Sequence, residues 1–173
     1  MDENFDGMDR FRLHGMNRGF VKFLLSRITS YVDHESGIGS NFEYYYQNST
    51  GKPFEVEHIW ADKFSEHRDE FDQETEFDEY RNRIGGLVLL PRGTNQSYGA
   101  KPYPKKLKHY VKENLLVQSL CQLTYESNPN FTSMNSRLGL GFKPYDDFKK
   151  KDIQERQKLY QLICELIWNS DLM

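Results

Sequence analysis

An acid, a histidine and an asparagine are spaced in this sequence in a way that suits hydrolysis of a phosphodiester bond. Glu57 and His58 end one short apolar stretch, and Asn95 follows a second one, residues 84–91. Such hydrolysis uses a hard cation held by oxygen ligands, and a neutral imidazole that takes a proton from the attacking water. Glu57 and Asn95 offer the oxygens, and His58 offers the base.

The neighbours of the Glu57–His58 pair favour this interpretation. A single histidine is a weak signal, because most histidines are surface or packed side chains. The pair is also not a zinc-protease signature, since no second histidine follows on the same helical face. However, Val56 and Ile59 flank the pair with β-branched side chains, as in a buried strand. Strand alternation points Glu57 and His58 to opposite faces, so we expect the pair at a strand end, where both can reach one site.

Further segments follow the motif in an order that is typical of one group of nucleases. A short motif alone is loose, but an ordered series along almost the whole chain is specific. The segments are residues 25–28, 56–60, 81–91, 95–98 and 101–106, with Ile167 and Trp168 near the end. With them the chain resembles the HNH (ββα-metal, or His-Me finger) nucleases. It resembles in particular the C-terminal nuclease domain of GmrSD-type, modification-dependent restriction enzymes.

The resemblance implies a role for each residue of the motif. His58 matches the general base of the family. Glu57 occupies the preceding acidic position, which is a metal ligand in many such sites. Asn95 matches the second protein ligand of one divalent ion, for which Mg²⁺ is expected and Mn²⁺ is the alternative. The resemblance thus implies a metal-dependent DNA endonuclease.

Two positions depart from the pattern of the family. The usual proline three residues after the histidine is Ala61 here. The middle asparagine of the family, which braces the loop behind the histidine, falls on Gly86. We expect the nearby Asn82 to supply the missing amide and to orient the ring of His58.

The charges are unevenly distributed, although the formal net charge is only −3. Residues 66–79 hold eight acidic side chains and one arginine, whereas residues 80–112 hold eight basic side chains and no acid. Because the basic segment overlaps the motif, we expect it to contact DNA phosphates with little sequence preference, a solvated basic face being the alternative. The acidic segment is expected to be a solvated loop or short helix. The residues expected to bind DNA are Arg81, Arg83, Arg92, Lys101, Lys105 and Lys106.

The expected fold is α+β, with a small ββα-metal core embedded in one mostly helical domain. Helices are predicted where apolar residues recur at helical spacing, and loops where glycine and polar residues gather. The tyrosines at 44–46 are expected to pack on the core rather than to stack on bases. The predicted regions are a lead-in (1–16), the ββα-metal core (54–112), helices at 18–33, 105–121 and 148–168, the last packing within 146–169, and loops at 37–52 and 128–143.

The cysteines and the hydropathy of the sequence indicate the cellular environment in which the chain is expected. Cys121 and Cys164 lie in apolar stretches without metal-site spacing, so we expect buried thiols in a reducing compartment. No apolar run is long enough to span a bilayer and no signal peptide opens the sequence, so we expect no membrane partner. Together with the resemblance, these features suggest the cytoplasm of a bacterium or archaeon. The resemblance also implies that the full-length protein carries an N-terminal nucleotide-hydrolysing sensor domain.

Two other functions stay open at this point. A catalytically inactive DNA-binding module is favoured by Gly86 and Ala61, and opposed by the presence of the catalytic acid, base and amide. A protein-interaction domain would use the acidic segment as its docking surface. Binding of DNA without cleavage would support the first alternative, and failure to bind DNA at low salt would support the second.

Overall fold

The computed structural model describes residues 7–47 and 51–170, in which helices surround a two-stranded antiparallel sheet. The fold is therefore α+β, as predicted. Strand β1 (Phe54–His58) pairs with β2 (Leu87–Pro91), so that His58 lies opposite Leu87. Residues 1–6 of the predicted lead-in and residues 48–50 of the predicted loop lie outside the described residues.

The helices differ in length, and the two longest are α1 and α9 near the ends of the described chain. Three short 3-10 turns accompany them, at Met8–Arg10, Phe64–His67 and Ile84–Gly86. The α-helices are α1 (Arg18–Glu35), α2 (Phe42–Tyr46), α3 (Glu74–Arg81), α4 (Thr94–Tyr98), α5 (Tyr103–Tyr110), α6 (Leu115–Gln118), α7 (Gln122–Ser127), α8 (Pro129–Leu138) and α9 (Lys150–Ser170).

The sheet is buried between two apolar clusters. Val56 and Leu89 belong to the cluster that contains the buried faces of α1 and α9. Val88 and Leu90 belong to the second cluster, which includes Tyr110 of α5. Because both faces of the sheet are covered, β2 is an almost continuous apolar run rather than an alternating one. Consecutive residues of β1 consequently point to opposite faces of the sheet, so the side chains of Glu57 and His58 lie on different sides of it.

The prediction of one helix over residues 105–121 is wrong, because Asn114 interrupts it. The side chain of Asn114 accepts a hydrogen bond from the Val117 backbone N–H and so caps a new helix, α6. The Asn114 amide nitrogen also donates to the carbonyl of Leu89 over 2.9 Å. The asparagine thereby fixes α6 against β2, which apolar spacing alone does not reveal.

The prediction of a loop over residues 128–143 is also wrong, because this segment contains α8. Asn128 caps α8 through the Phe131 N–H, and Pro129 occupies the first turn, where its missing N–H costs nothing. Gly139 then ends the helix with a left-handed φ of 62°. These are ordinary start and stop signals, which a count of polar residues and glycines conceals.

The predicted loop over residues 37–52 contains the short helix α2. Asn41 caps it by accepting a hydrogen bond from the N–H of Tyr44. Tyr45 is buried, and its hydroxyl donates to Asp33 of α1, so the prediction that the tyrosines pack on the core holds for Tyr45. Tyr44 is half exposed.

The acidic segment forms the turn at Phe64–His67 and the short helix α3, as predicted. Its carboxylates hold the start of α9, since Lys149 pairs with Asp69 over 2.7 Å and Lys150 pairs with Glu76 over 2.8 Å. Part of the acidic segment therefore has a structural partner within the chain. Within the described residues, no helix is both long and apolar enough to cross a membrane.

Candidate active site

His58 lies at the end of β1, where Asn82 fixes its ring. The Nε2 atom of His58 is 2.8 Å from the amide oxygen of Asn82. The amide nitrogen of Asn82 donates to the carbonyl of Asp78 over 2.8 Å, which sets which end of the amide faces the ring. Nε2 therefore carries the proton, and Nδ1 keeps the lone pair of a neutral imidazole. The contact expected from the sequence between Asn82 and His58 is present.

The surroundings of His58 keep its ring neutral. Burial lowers the pKa of His58 to about 4, and the positive charges of Arg81, Lys106 and Arg18 act in the same direction. The hydrogen bond to Asn82 opposes this shift only in part. At neutral pH the imidazole is thus a proton acceptor rather than an acid.

Asn95 lies on α4, in the same pocket as His58. This pocket has a volume of about 410 Å³. The amide nitrogen of Asn95 is 3.3 Å from Glu55, a residue of β1 whose carboxylate also accepts a hydrogen bond from Arg92 over 2.8 Å. These contacts use the nitrogen of the Asn95 amide and leave its oxygen for another partner. The structure thus brings the base and both expected metal ligands, Glu57 and Asn95, to the lining of one pocket.

Glu57 also lines this pocket, but its carboxylate is already paired within the protein, so its expected role as a metal ligand stays a prediction. Its side chain is buried, and its Oε1 accepts hydrogen bonds from Lys106 Nζ at 2.6 Å and from the Tyr110 hydroxyl at 3.3 Å. The cause is strand alternation, which points Glu57 towards α5 and His58 away from it. Burial raises the pKa of Glu57 and lowers that of Lys106, while the opposite charge of each partner counteracts both shifts.

Lys106 connects this buried pair to the base. Its ammonium also donates to the backbone carbonyl of His58 over 2.6 Å. Lys106 is fully buried, which argues against its predicted contact with DNA phosphate. Its place in the structure is behind the strand that carries His58, where it holds the backbone.

The other residues expected to contact DNA differ in how far their side chains are exposed to solvent. Arg83 is buried and paired with Glu79 over 3.1 Å, so its charge is not offered to a phosphate either. Arg81 is partly exposed, and its Nε donates to the Trp60 carbonyl over 3.1 Å. The exposed residues are Arg92, which pairs with Glu55, and Lys105, whereas Lys101 is partly exposed beside the Tyr98 ring. The basic segment is therefore not one continuous surface.

The two departures from the family pattern are accommodated locally. Gly86 lies in the 3-10 turn before β2, and its carbonyl accepts a hydrogen bond from the Ile59 N–H over 2.9 Å. A Cβ at Gly86 would lie 3.4 Å from both the Arg81 carbonyl and Ile153, so little room exists for an asparagine side chain. A backbone contact and Asn82 together take the place of the missing brace. Ala61 is buried at the end of the same strand region.

The oxygen donors near His58 suit a cation that needs few protein ligands. Asp62 is exposed and lines the pocket of His58 and Asn95. Within residues 7–47 and 51–170, no group of three or more His, Cys, Asp and Glu side chains is arranged to hold a metal. Mg²⁺ commonly uses one or two carboxylates, keeps several waters and takes phosphate oxygens from its substrate. The Asp62 carboxylate and the Asn95 amide oxygen line the same pocket and are the kinds of oxygen ligand that this pattern uses. Asp62 is not among the metal ligands expected from the sequence, although it closely follows the strand that carries His58.

A comparison with protein families finds a match that covers the part of the chain containing this site. A family model described as "GmrSD restriction endonucleases, C-terminal domain" matches residues 14–161. The chain belongs to this family. The matched region includes both strands, α4 and Asn82, so it contains every part of the site. Membership of this GmrSD family indicates a nuclease domain of restriction systems, with DNA as its substrate. No curated protein and no solved structure matches the chain.

Proposed function

We propose that this chain is a divalent-metal-dependent DNA endonuclease and forms the nuclease part of a modification-dependent restriction system. The observation that carries the proposal is the half-buried, neutral His58, held by Asn82 in a pocket that it shares with Asn95. A base, an oriented tautomer and an oxygen ligand are the parts that water attack on a phosphodiester requires.

The roles in the proposed reaction follow from these contacts. His58 Nδ1 takes a proton from water as the water oxygen attacks phosphorus in line, and the bond to the 3′ oxygen breaks. Asn82 keeps Nε2 protonated, so that Nδ1 stays the acceptor. Lys106 holds the His58 backbone through its carbonyl. A divalent ion, Mg²⁺ or Mn²⁺ bound by Asn95 and Asp62, would supply positive charge to the phosphate and to the leaving oxygen.

Sensing of modified DNA is assigned to a different part of the system. We propose that an N-terminal nucleotide-hydrolysing domain recognises the modification, and that the present domain cuts with little sequence preference. The contacts available near His58 are arginine and lysine side chains, which position a duplex by its phosphates without reading bases.

The direct test of the proposal is relaxation of a supercoiled plasmid in Mg²⁺, in Mn²⁺ and in excess EDTA. We expect nicked or linear product with either cation and none with EDTA. Duplex binding at low salt without cleavage in any cation would favour the inactive DNA-binding module. Absence of binding even at low salt would favour a protein-interaction domain.

Removing the Asn95 amide is expected to weaken cation use. Asn95→Ala should raise the Mg²⁺ concentration that gives half-maximal cleavage, or abolish cleavage, because the site has few other oxygen ligands. Asp62→Ala should act in the same direction. Asp72→Ala is the matched control, since Asp72 is an exposed acid that does not line this pocket. Unchanged Mg²⁺ dependence in both pocket variants would place the cation elsewhere.

The lowered pKa of His58 predicts an unusual pH dependence of the cleavage rate. With a pKa of about 4, His58 stays neutral well below pH 6, so the rate at pH 5.5 should be close to that at pH 7.5. With an ordinary histidine pKa of about 6.5, the cleavage rate would fall roughly tenfold between pH 7.5 and pH 5.5.

The stability of the fold also depends on this pKa. Between about pH 6.5 and 4, the unfolded chain binds a proton at His58 that the native chain does not. The free energy of unfolding therefore decreases as the pH is lowered through this range. Circular dichroism at each pH is the control for loss of the fold. A tenfold loss with the fold intact would contradict the assignment.

A further inference from the structure

Two pockets meet at His58. The first, of about 410 Å³, contains Asn95, whereas the second, of about 1030 Å³, extends towards Arg12 and His14 of the N-terminal segment. Among the described residues, three line both pockets, namely Arg18, His58 and Arg81. The base therefore lies where two connected depressions join, with two guanidinium groups beside it.

Arg18 differs from the other arginines of this region. It is the first residue of α1 and is exposed, and its side chain makes no hydrogen bond or ion pair with any of the described residues. By contrast, Arg92 is paired with Glu55 and Arg83 with Glu79. The Arg18 charge nevertheless reaches the site, since it contributes to the lowered pKa values of both His58 and Glu55.

Arg81 reaches the same place from the end of α3. Its Nε is occupied by the Trp60 carbonyl, which fixes the side chain and leaves the two terminal nitrogens for another acceptor. The charges of Asp62 and Asp78 lie near enough to favour its charged form, but neither acid is paired with it. A guanidinium fork held in this way is suited to bind two oxygens of one phosphate.

We propose that Arg18 and Arg81 together bind the scissile phosphate of a DNA strand that runs from one pocket to the other across His58. This inference rests on the proposed function and adds α1 to the nuclease site, for which the sequence predicted only a helix at residues 18–33. Arg81, which is held in place, acts mainly on the rate of the chemical step. Arg18, which is not anchored, acts mainly on binding of the strand.

The test compares Arg18→Gln with Arg10→Gln, both in EDTA and in Mg²⁺. Arg10 is a matched control, because it is also an exposed arginine of the N-terminal region but lines neither pocket. In EDTA, Arg18→Gln should weaken binding of a short duplex about tenfold and lower the salt slope of binding by about one unit. Arg10→Gln should change affinity less than about threefold. Arg18→Lys should restore the salt slope but only part of the affinity, because it lacks the fork.

Kinetics in Mg²⁺ separate the two arginines. Arg18→Gln should mainly raise KM, whereas Arg81→Gln should lower kcat by about tenfold or more, as expected when a transition-state contact is lost. Equal affinities and equal salt slopes for Arg18→Gln and Arg10→Gln in EDTA would overturn the role of Arg18. Because the EDTA measurements need no cleavage, they decide this point even if the wild-type protein does not cut DNA. Absence of cleavage by the wild type would count against the proposed function instead.

Discussion

Replacing His58 by alanine is expected to lower the single-turnover rate of DNA cleavage roughly a hundred- to ten-thousandfold. The substitution removes the proton acceptor at the junction of the two pockets. It removes no charge, because the pKa of the half-buried ring, about 4, leaves it neutral at neutral pH. Affinity for duplex DNA, measured by gel shift in EDTA, should therefore change little.

The control for this variant is His34→Ala. His34 lies on α1 with 79% of its side chain exposed, and it lines neither pocket that contains His58. Its substitution should leave both rate and affinity near those of the wild type. A rate loss of the same size in both variants would indicate a general effect on the protein rather than loss of the base.

Lys106→Met is expected to lower the free energy of unfolding by about 3–5 kcal/mol, because it leaves the buried carboxylate of Glu57 without its partner charge. Equilibrium denaturation in urea measures this loss. Lys105→Met is the matched control, since Lys105 is the exposed neighbour on the same helix. It should change stability by less than about 0.5 kcal/mol and should instead weaken DNA binding.

A second variant keeps this prediction testable if Lys106→Met does not fold. In Glu57→Leu/Lys106→Met both charges are replaced by apolar groups, so the double variant should be more stable than Lys106→Met alone. A single variant that unfolds at the same urea concentration as the wild type would show that the pair is solvated. Lys106 would then return to the set of expected DNA contacts.

The two long helices could be predicted because their apolar patterns are long and regular, and the two strands because each is a short run rich in apolar residues. The sequence placed α1 at residues 18–33, and the structure extends it to Glu35; α9 was placed at 148–168 and runs from Lys150 to Ser170. The brace by Asn82 was also foreseeable, since the residue lies just before β2 and carries the amide that Gly86 lacks. The helices α2, α6 and α8 were missed because asparagine caps decide where they begin and apolar spacing does not.

The parts of the site that could not be predicted depend on contacts between residues distant in the sequence. The strand period correctly placed Glu57 and His58 on opposite faces, but it could not show that Lys106, 49 positions after Glu57, occupies the Glu57 side. Counting basic residues treated buried Arg83 and Lys106 as though they were solvated. It also overlooked Arg18, which is far from the basic segment in sequence but lines both pockets beside His58.

Chemical rescue of His58→Ala by imidazole tests the central claim most directly. We expect His58→Ala, with Mg²⁺ and bound plasmid, to be nearly inactive. Added imidazole should restore cleavage in proportion to the concentration of its neutral form, because the missing group is a neutral proton acceptor. A His58→Ala protein that cleaves the plasmid at the wild-type rate without imidazole would contradict the account.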